Sequence, residues 1–203
     1  MQRVFWPAVK RDGALVCGFN LPFDLARIAL TWSKGENNEW SLTMSQYANG
    51  TENRNYPRIL ITPIDSKKAF IKLATPWKPE EWTKNGNTHF LDLRTLLWAL
   101  YNKSYSLKSA CDNKNGPFKG HNLPQKQDDG ATREVTSKEI GYARQDVRCT
   151  EALLNALKQE FDKHPINLKP YSAYSPASVA KSYLDQMGIL TPEEKFSIPD
   201  EIL

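Results

Sequence analysis

The stretch GALVCGFNLPFD at residues 13–24 decides how the fold of this chain is interpreted. Residues 14–19 form a nearly continuous apolar run bounded by glycine and asparagine, a pattern typical of a strand buried on both faces of an α/β sheet. Pro22 stands where the first turn of a helix tolerates proline. The apolar residues that follow predict an inward helix face that ends near Thr31. They are Phe23, Leu25, Ala26, Ile28 and Ala29. The stretch therefore predicts a central strand, a tight turn and a helix.

Downstream of this unit the pattern changes from helical to alternating. Segments at residues 40–44, 58–62 and 69–73 alternate in polarity and are separated by Asn, Gly, Pro and Asp clusters, which predicts an inserted antiparallel sheet at about residues 38–78. A second buried strand at residues 89–91 runs into Asp92, which can cap the leucine-rich helix that follows. The polar residues 112–133 show little periodicity and predict a mobile loop.

Two later segments predict helices. Residues 136–139 offer a capping box, and an apolar stripe in steps of three and four follows it. The stripe consists of Ile140, Ala143, Val147, Thr150, Leu154, Leu157 and Phe161. Residues 175–176 open another helix, with Gly188 placed to end it. Its inward residues are predicted to be Val179, Tyr183 and Met187. The fold class is therefore α/β, with a main unit at residues 1–165 and a helical extension at residues 166–203.

The composition excludes several classes of protein. With 203 residues the chain is long enough for one good core. No apolar run approaches the roughly 20 residues of a membrane span, so we expect no membrane partner. The three cysteines lack metal-ligand spacing and predict neither a zinc site nor a disulfide framework, and the first ten residues lack the apolar core of a signal peptide. We predict a cytoplasmic protein whose net charge of +4 permits a polyanionic partner without requiring one.

Carboxylates at two positions are candidates for a functional site. Asp24 follows a predicted buried strand through a turn, at the strand end where open α/β sheets bind ligands. Asp24 also suits a simpler role as a partner of the helix dipole. Tyr142 and Asp146 stand four residues apart on one helix face and can share a ligand. They are equally compatible with a boundary hydrogen bond or a solvated helix face.

Taken in order, the segments N-x-x-F-D at residues 20–24 and Y-x-x-x-D at residues 142–146 resemble the second and third motifs of the DEDD 3'-5' exonucleases, in the tyrosine-containing subclass. The surrounding sequence is similar to the exonuclease domains of family-B DNA polymerases. This similarity includes residues 90–95, 106–108 and 146–150, and residues 175–189 resemble the segment that follows such domains. The resemblance covers roughly residues 13–189 and implies a ribonuclease H-like fold.

The resemblance also implies a two-metal mechanism using Mg²⁺ or Mn²⁺, in which two divalent ions activate water and stabilise the leaving oxygen of a phosphodiester. Asp146 would bind the ion that activates water, and Asp24 would help to hold the other. The Tyr142 hydroxyl would orient the nucleophile. Asn20 and Phe23 would contact the terminal nucleotides of single-stranded DNA.

Two further features remain open at this stage. Asp92 is fully explained as a helix cap, with a place in the metal site as the alternative. Five lysines between residues 103 and 126 outnumber the acid Asp112, and they either follow a phosphate backbone or solvate a loop. They are Lys103, Lys108, Lys114, Lys119 and Lys126. Among them, Lys108 also belongs to the segment that resembles the family, and we include it among the nucleic-acid contacts.

The family's first motif, D-x-E, is absent from this sequence. The first three strands of a ribonuclease H-like fold are missing with it, so we expect an amino-terminally truncated fold and a poor nuclease. The leading hypothesis is therefore an exonuclease domain, or a fragment of one, that is completed by a missing amino-terminal segment or works beside a polymerase domain. The alternative is a non-catalytic remnant that binds nucleic acid or a protein. A third interpretation is an unrelated domain with coincidental motifs.

Overall fold

The structure is a computed structural model that describes residues 3–12, 14–35, 38–65, 68–75, 88–126 and 135–189. The strands within these ranges are β1 (Leu15–Gly18), β2 (Thr31–Lys34), β3 (Trp40–Thr43), β4 (Ile59–Pro63), β5 (Ala69–Leu73) and β6 (His89–Asp92). The helices are α1 (Phe5–Pro7), continued by a π-helical segment (Ala8–Asp12), then α2 (Leu21–Ile28), α3 (Leu93–Tyr101), α4 (Leu107–Ala110), α5 (Ser137–Phe161) and α6 (Pro176–Gln186). Gly13, residues 76–78 of the predicted insertion, residues 127–133 of the predicted loop and residues 190–203 of the predicted extension lie outside the described ranges.

The deciding stretch forms the predicted strand, turn and helix. Strand β1 pairs in parallel with β6, from Leu15 beside His89 to Gly18 beside Asp92. Among the described residues β1 has β6 as its only partner, and Leu15 is 46% exposed. The prediction of a central strand buried on both faces is therefore wrong, because β1 has one strand partner in the described ranges and is fully buried only at Gly18.

The predicted insertion is present as a four-stranded antiparallel sheet in the order β2-β3-β4-β5. Three of its strands follow the predicted segments closely. Strand β2 was not predicted, because all four of its residues are exposed and carry no pattern of burial. Helix α2 ends at Ile28, so the chain enters the sheet at Thr31, earlier than the predicted residue 38. The protein is thus a mixed α/β structure with one parallel and one antiparallel sheet.

Helix α2 packs on the antiparallel sheet through a narrow stripe. Leu21 and Leu25 are buried in a cluster with Leu42, Ile59 and Ile61. The predicted inward face is wrong at Phe23, Ala26 and Ile28, which are exposed. Because an eight-residue helix has only about two turns, one contact stripe is enough to hold it and the remaining apolar residues point outward.

A second core cluster joins α3, α4, α5 and α6. Helix α5 buries Cys149, Leu153, Ala156, Leu157 and Phe161. The predicted stripe is wrong in the first half of this helix, where Val147 is 67% exposed and Ile140 is exposed as well. A helix of 25 residues is about 37 Å long, so it extends beyond the core that covers its second half.

The start of α5 and the end of α6 agree closely with the sequence signals. Thr136 and Glu139 form the predicted capping box of α5, and Gly188, at φ +70°, follows the end of α6 as expected. Along α6, Val179 is buried as predicted, whereas Met187 is exposed because it already lies beyond the last helical residue.

The described part of the predicted mobile loop is tied to the core. The Asp112 carboxylate accepts hydrogen bonds from the backbone N–H groups of Lys114 and Asn115, at 2.8 and 3.1 Å. Asn113 exchanges two hydrogen bonds with the backbone of Leu123. Phe118 and Leu123 are buried. Residues 112–126 therefore form an ordered segment that leads Lys126 to a fixed place. In none of the ranges that the structure describes is a helix long and apolar enough to cross a membrane.

Candidate functional site

A cleft of about 1030 Å³ opens beside the end of β1, against the exposed half of α5. Five of the six predicted site residues line it: Asn20, Phe23, Asp24, Tyr142 and Asp146. The sixth, Lys108, is exposed on α4 next to Leu107, which is a lining residue, but does not line the cleft itself. Val147 also lines the cleft, so the apolar stripe of α5 faces the site where it leaves the core.

The turn before α2 is held by Asp92. Its Oδ1 accepts hydrogen bonds from the backbone N–H groups of Asn20 at 2.7 Å and Leu21 at 3.1 Å, and its Oδ2 accepts one from the Thr95 hydroxyl at 2.8 Å. Asp92 occupies the N-cap position of α3 but makes no side-chain bond to the backbone of that helix. The predicted capping role is thus corrected: this buried carboxylate fixes the start of α2, where Asn20 adopts a left-handed conformation at φ 65°.

Asp24 projects from the first turn of α2, next to Gly18 at the end of β1. A Cβ at Gly18 would lie 2.8 Å from Leu21 Cδ1 and 3.6 Å from Asp24 Oδ2, so glycine lets the helix start close to the strand. Burial, and then the negative charges of Asp92 and Asp146, raise the pKa of Asp24 above its usual value. Asp24 and Asp146 therefore interact electrostatically across the cleft although they come from distant parts of the chain.

On the α5 side, Asp146 forms an ion pair with Lys126. Lys126 Nζ lies 2.8 Å from Asp146 Oδ2 and 5.0 Å from the centre of the Tyr142 ring. Burial opposes the charge of this ammonium group, but its hydrogen bonds to Asp146 and Tyr142 outweigh that effect and raise the pKa of Lys126. The second carboxylate oxygen, Asp146 Oδ1, is buried and has no hydrogen-bond partner among the described residues.

Arg94 is a cleft residue that sequence reasoning missed. Its Nη1 donates a hydrogen bond of 3.3 Å to Asn20 Oδ1, while its buried Nε has no partner among the described residues. The sequence signal for a role of Arg94 in the site was its position two residues after Asp92, at the start of α3. Lys126 was noted only as one of five lysines, because nothing in the sequence connects it to Asp146.

Two features of the cleft carboxylates favour an added positive charge, but the described residues do not group into a metal site. The orphaned Oδ1 of Asp146 and the mutual repulsion of Asp24 and Asp146 both favour an added positive charge. Within the described ranges, however, no three His, Cys, Asp or Glu side chains group closely enough to hold a metal ion. Asp92, whose charge acts on Asp24, accepts hydrogen bonds at both of its oxygens and is not part of such a group.

No family model, no curated protein and no solved structure matches this chain. The residues of the cleft therefore carry the functional assignment. They define a mixed α/β protein whose cleft combines two interacting carboxylates, two cationic side chains and exposed aromatic rings.

Proposed function

We propose that this chain is a nuclease-type domain of ribonuclease H-like fold that binds the 3' end of single-stranded DNA in the cleft. The observation that carries this proposal is that Asp24, Tyr142 and Asp146 line one cleft together with Asn20 and Phe23. Two separate sequence segments thus contribute to one site, as the resemblance to the tyrosine-containing exonucleases requires.

The roles of these residues follow from their chemistry. Asp24 and Asp146 would hold a divalent cation, which when bound polarises a phosphodiester and activates water. The Tyr142 hydroxyl lies on the same helix face as Asp146 and would orient the attacking water. Phe23 is 53% exposed and presents a ring on which a terminal base of any identity can stack.

Completion of the site requires carboxylates beyond those that the described residues supply. The open edge of β1 is where a further strand can pair, and acidic residues on that strand would lie beside Asp24. We therefore propose that an added strand, from a missing amino-terminal segment or an associated polymerase domain, converts a weak nuclease into an efficient one.

A second candidate function is non-catalytic binding of nucleic acid. The ion pair between Lys126 and Asp146 favours it, because the ammonium group supplies positive charge where a cation would otherwise bind. In this case the cleft would bind DNA without any need for divalent ions, and affinity would fall as salt is raised.

Digestion of a 5'-labelled single strand with Mg²⁺ or Mn²⁺ tests the proposal. We expect slow shortening from the 3' end, lost in Asp24→Ala and Asp146→Ala and retained in Asp185→Ala, an exposed acid on α6 outside the cleft. Unchanged activity in both cleft variants would refute the assignment.

If the unmodified protein does not cut, binding of the same strand distinguishes the remaining cases. Affinity that is sensitive to salt and unchanged by a chelator supports the non-catalytic function. Absence of binding at low salt removes both functions.

A further inference from the structure

An exposed aromatic surface lies on the face of the antiparallel sheet that packs against α2. In the strand register Trp32 pairs with Leu42, and Lys34 pairs with Trp40. These four residues therefore share one face of the sheet, and the buried Leu42 identifies it as the inner face. Trp32 lies at the edge of this face, beyond the core, and is 63% exposed.

This edge carries two aromatic rings in contact, inclined to each other by 57°, beside a cation. The ring centres of Trp32 and Trp40 are 4.9 Å apart, and Lys34 Nζ lies 6.0 Å from the Trp40 ring. Strand β2 is the outermost strand of its sheet, so this group is open to a ligand along its length.

A second aromatic ring beside a cation lies on α2, at the cleft. The Arg27 guanidinium lies 4.9 Å from the centre of the exposed Phe23 ring, one helical turn further along the chain. Phe23 lines the cleft, and α2 leads directly into β2 through Ala29 and the exposed Leu30.

We call the side chains of these two groups, with Leu30 between them in the chain, the aromatic track. It consists of Phe23, Arg27, Leu30, Trp32, Lys34 and Trp40. Glu39 lies in the connection between β2 and β3. Its carboxylate contacts Thr62 and Lys72, which lie on the opposite face of the sheet. The Glu39 carboxylate therefore lies on the face of the sheet opposite to Lys34 and the two tryptophan rings.

We infer that the aromatic track binds single-stranded nucleic acid, a few nucleotides beyond the terminal ones held in the cleft. Aromatic rings stack on bases of any sequence, and the interspersed cations pair with the phosphates. A partner protein or a second copy would use the exposed apolar groups as well but has less need of the alternating cations. The inference rests on the proposed function, since it takes the cleft as the place of the 3' end.

Binding of short and long oligonucleotides in a chelator tests the inference. Fluorescence anisotropy with labelled dT4 and dT16 compares the unmodified protein with Trp32→Ala, Trp32→Phe and Lys34→Gln. Matched controls are Phe70→Ala and Lys72→Gln, an exposed aromatic residue and an exposed lysine on the opposite face of the same sheet. We expect Trp32→Ala to weaken dT16 binding roughly tenfold and dT4 binding little, Trp32→Phe to retain most of the affinity, and Lys34→Gln to weaken dT16 binding more than Lys72→Gln does.

The outcomes separate the track from the cleft. If dT16 binds no better than dT4, or if Phe70→Ala is as damaging as Trp32→Ala, the track is not the binding surface, even where Tyr142→Ala, in the cleft, weakens the binding of both oligonucleotides. If dT16 binding depends on Trp32 but Tyr142→Ala affects neither oligonucleotide, the track stands and the proposed function fails. A dimer that Trp32→Ala dissociates, without any effect on DNA binding, would overturn the inference in favour of a second copy.

Discussion

At the scale of single residues, Asp92 is the group that holds the candidate site in shape. Replacing it with alanine removes three hydrogen bonds and leaves the backbone N–H groups of Asn20 and Leu21 without their acceptor in the turn. Because buried donors without partners are costly, we expect Asp92→Ala to lower the free energy of unfolding by about 3 kcal/mol in urea titrations.

Asp112 provides a matched control for this prediction. It also accepts two backbone N–H hydrogen bonds, but from an exposed position where water can replace it. Asp112→Ala is expected to lower the free energy of unfolding clearly less than Asp92→Ala does, because water can take the place of the lost acceptor. Equal losses for the two variants would show that Asp92 has no special role in fixing the turn.

The ionisation of Asp24 reports on its neighbours. Its pKa is raised by burial first and by Asp92 and Asp146 next, so the folded state disfavours the charged form. The resulting loss in the free energy of unfolding is fully present above the folded-state pKa of Asp24. It disappears as the pH falls from that value to the unfolded-state pKa. Asp146→Asn removes one negative neighbour, and we expect it to lower the pKa of Asp24 partway towards its usual value, as followed by NMR of the carboxyl carbons.

The comparison for this titration is Asp112→Asn, which changes an acid outside the cleft and should leave the pKa of Asp24 unchanged. An Asp24 titration that is also insensitive to Asp146→Asn would mean that the two carboxylates do not share the cleft electrostatically.

At the scale of secondary structure elements, local signals predicted where helices begin and end but not which faces are covered. The Thr136 capping box and Gly188 were readable because caps depend on neighbouring residues in the chain. The apolar stripe of α5 could be predicted from its helical periodicity. How much of this stripe the core covers depends on the packing of α3, α4 and α6, which the local sequence does not specify. Val147 therefore faces the cleft instead of the core.

The same reasoning separates the predictable part of the site from the rest. Asp24 was singled out because the end of a strand followed by a helix is a local pattern, whereas Asn20 and Phe23 were named only from the resemblance to the exonuclease motif. Lys126 was not assigned to Asp146 because an ion pair between a loop and a helix is set by the path of the folded chain. Strand β2 was missed for a related reason: it is defined by pairing with β3, while its own residues show no alternation of burial.

At the scale of the whole molecule, one edge of the parallel strand pair has no strand partner among the described residues. Strand β1 pairs only with β6 in the part of the chain that the structure describes, and this edge carries the half-exposed Leu15. Unpaired backbone groups beside an apolar side chain favour pairing with another strand. The edge that would accept a completing strand is therefore also the place where copies of the chain can associate.

A lysine at position 15 should suppress such association, because a charged side chain on an edge strand opposes edge-to-edge pairing. We expect Leu15→Lys to reduce the concentration-dependent light scattering and the oligomer fraction in sedimentation velocity several-fold. Leu184→Lys is the matched control, since Leu184 has the same 46% exposure but lies on helix α6, whose backbone groups are already paired. If both variants reduce association equally, exposed apolar area drives the association. If neither variant reduces it, the edge of β1 does not mediate association. Only a selective effect of Leu15→Lys identifies this edge as the surface on which a further strand can be added.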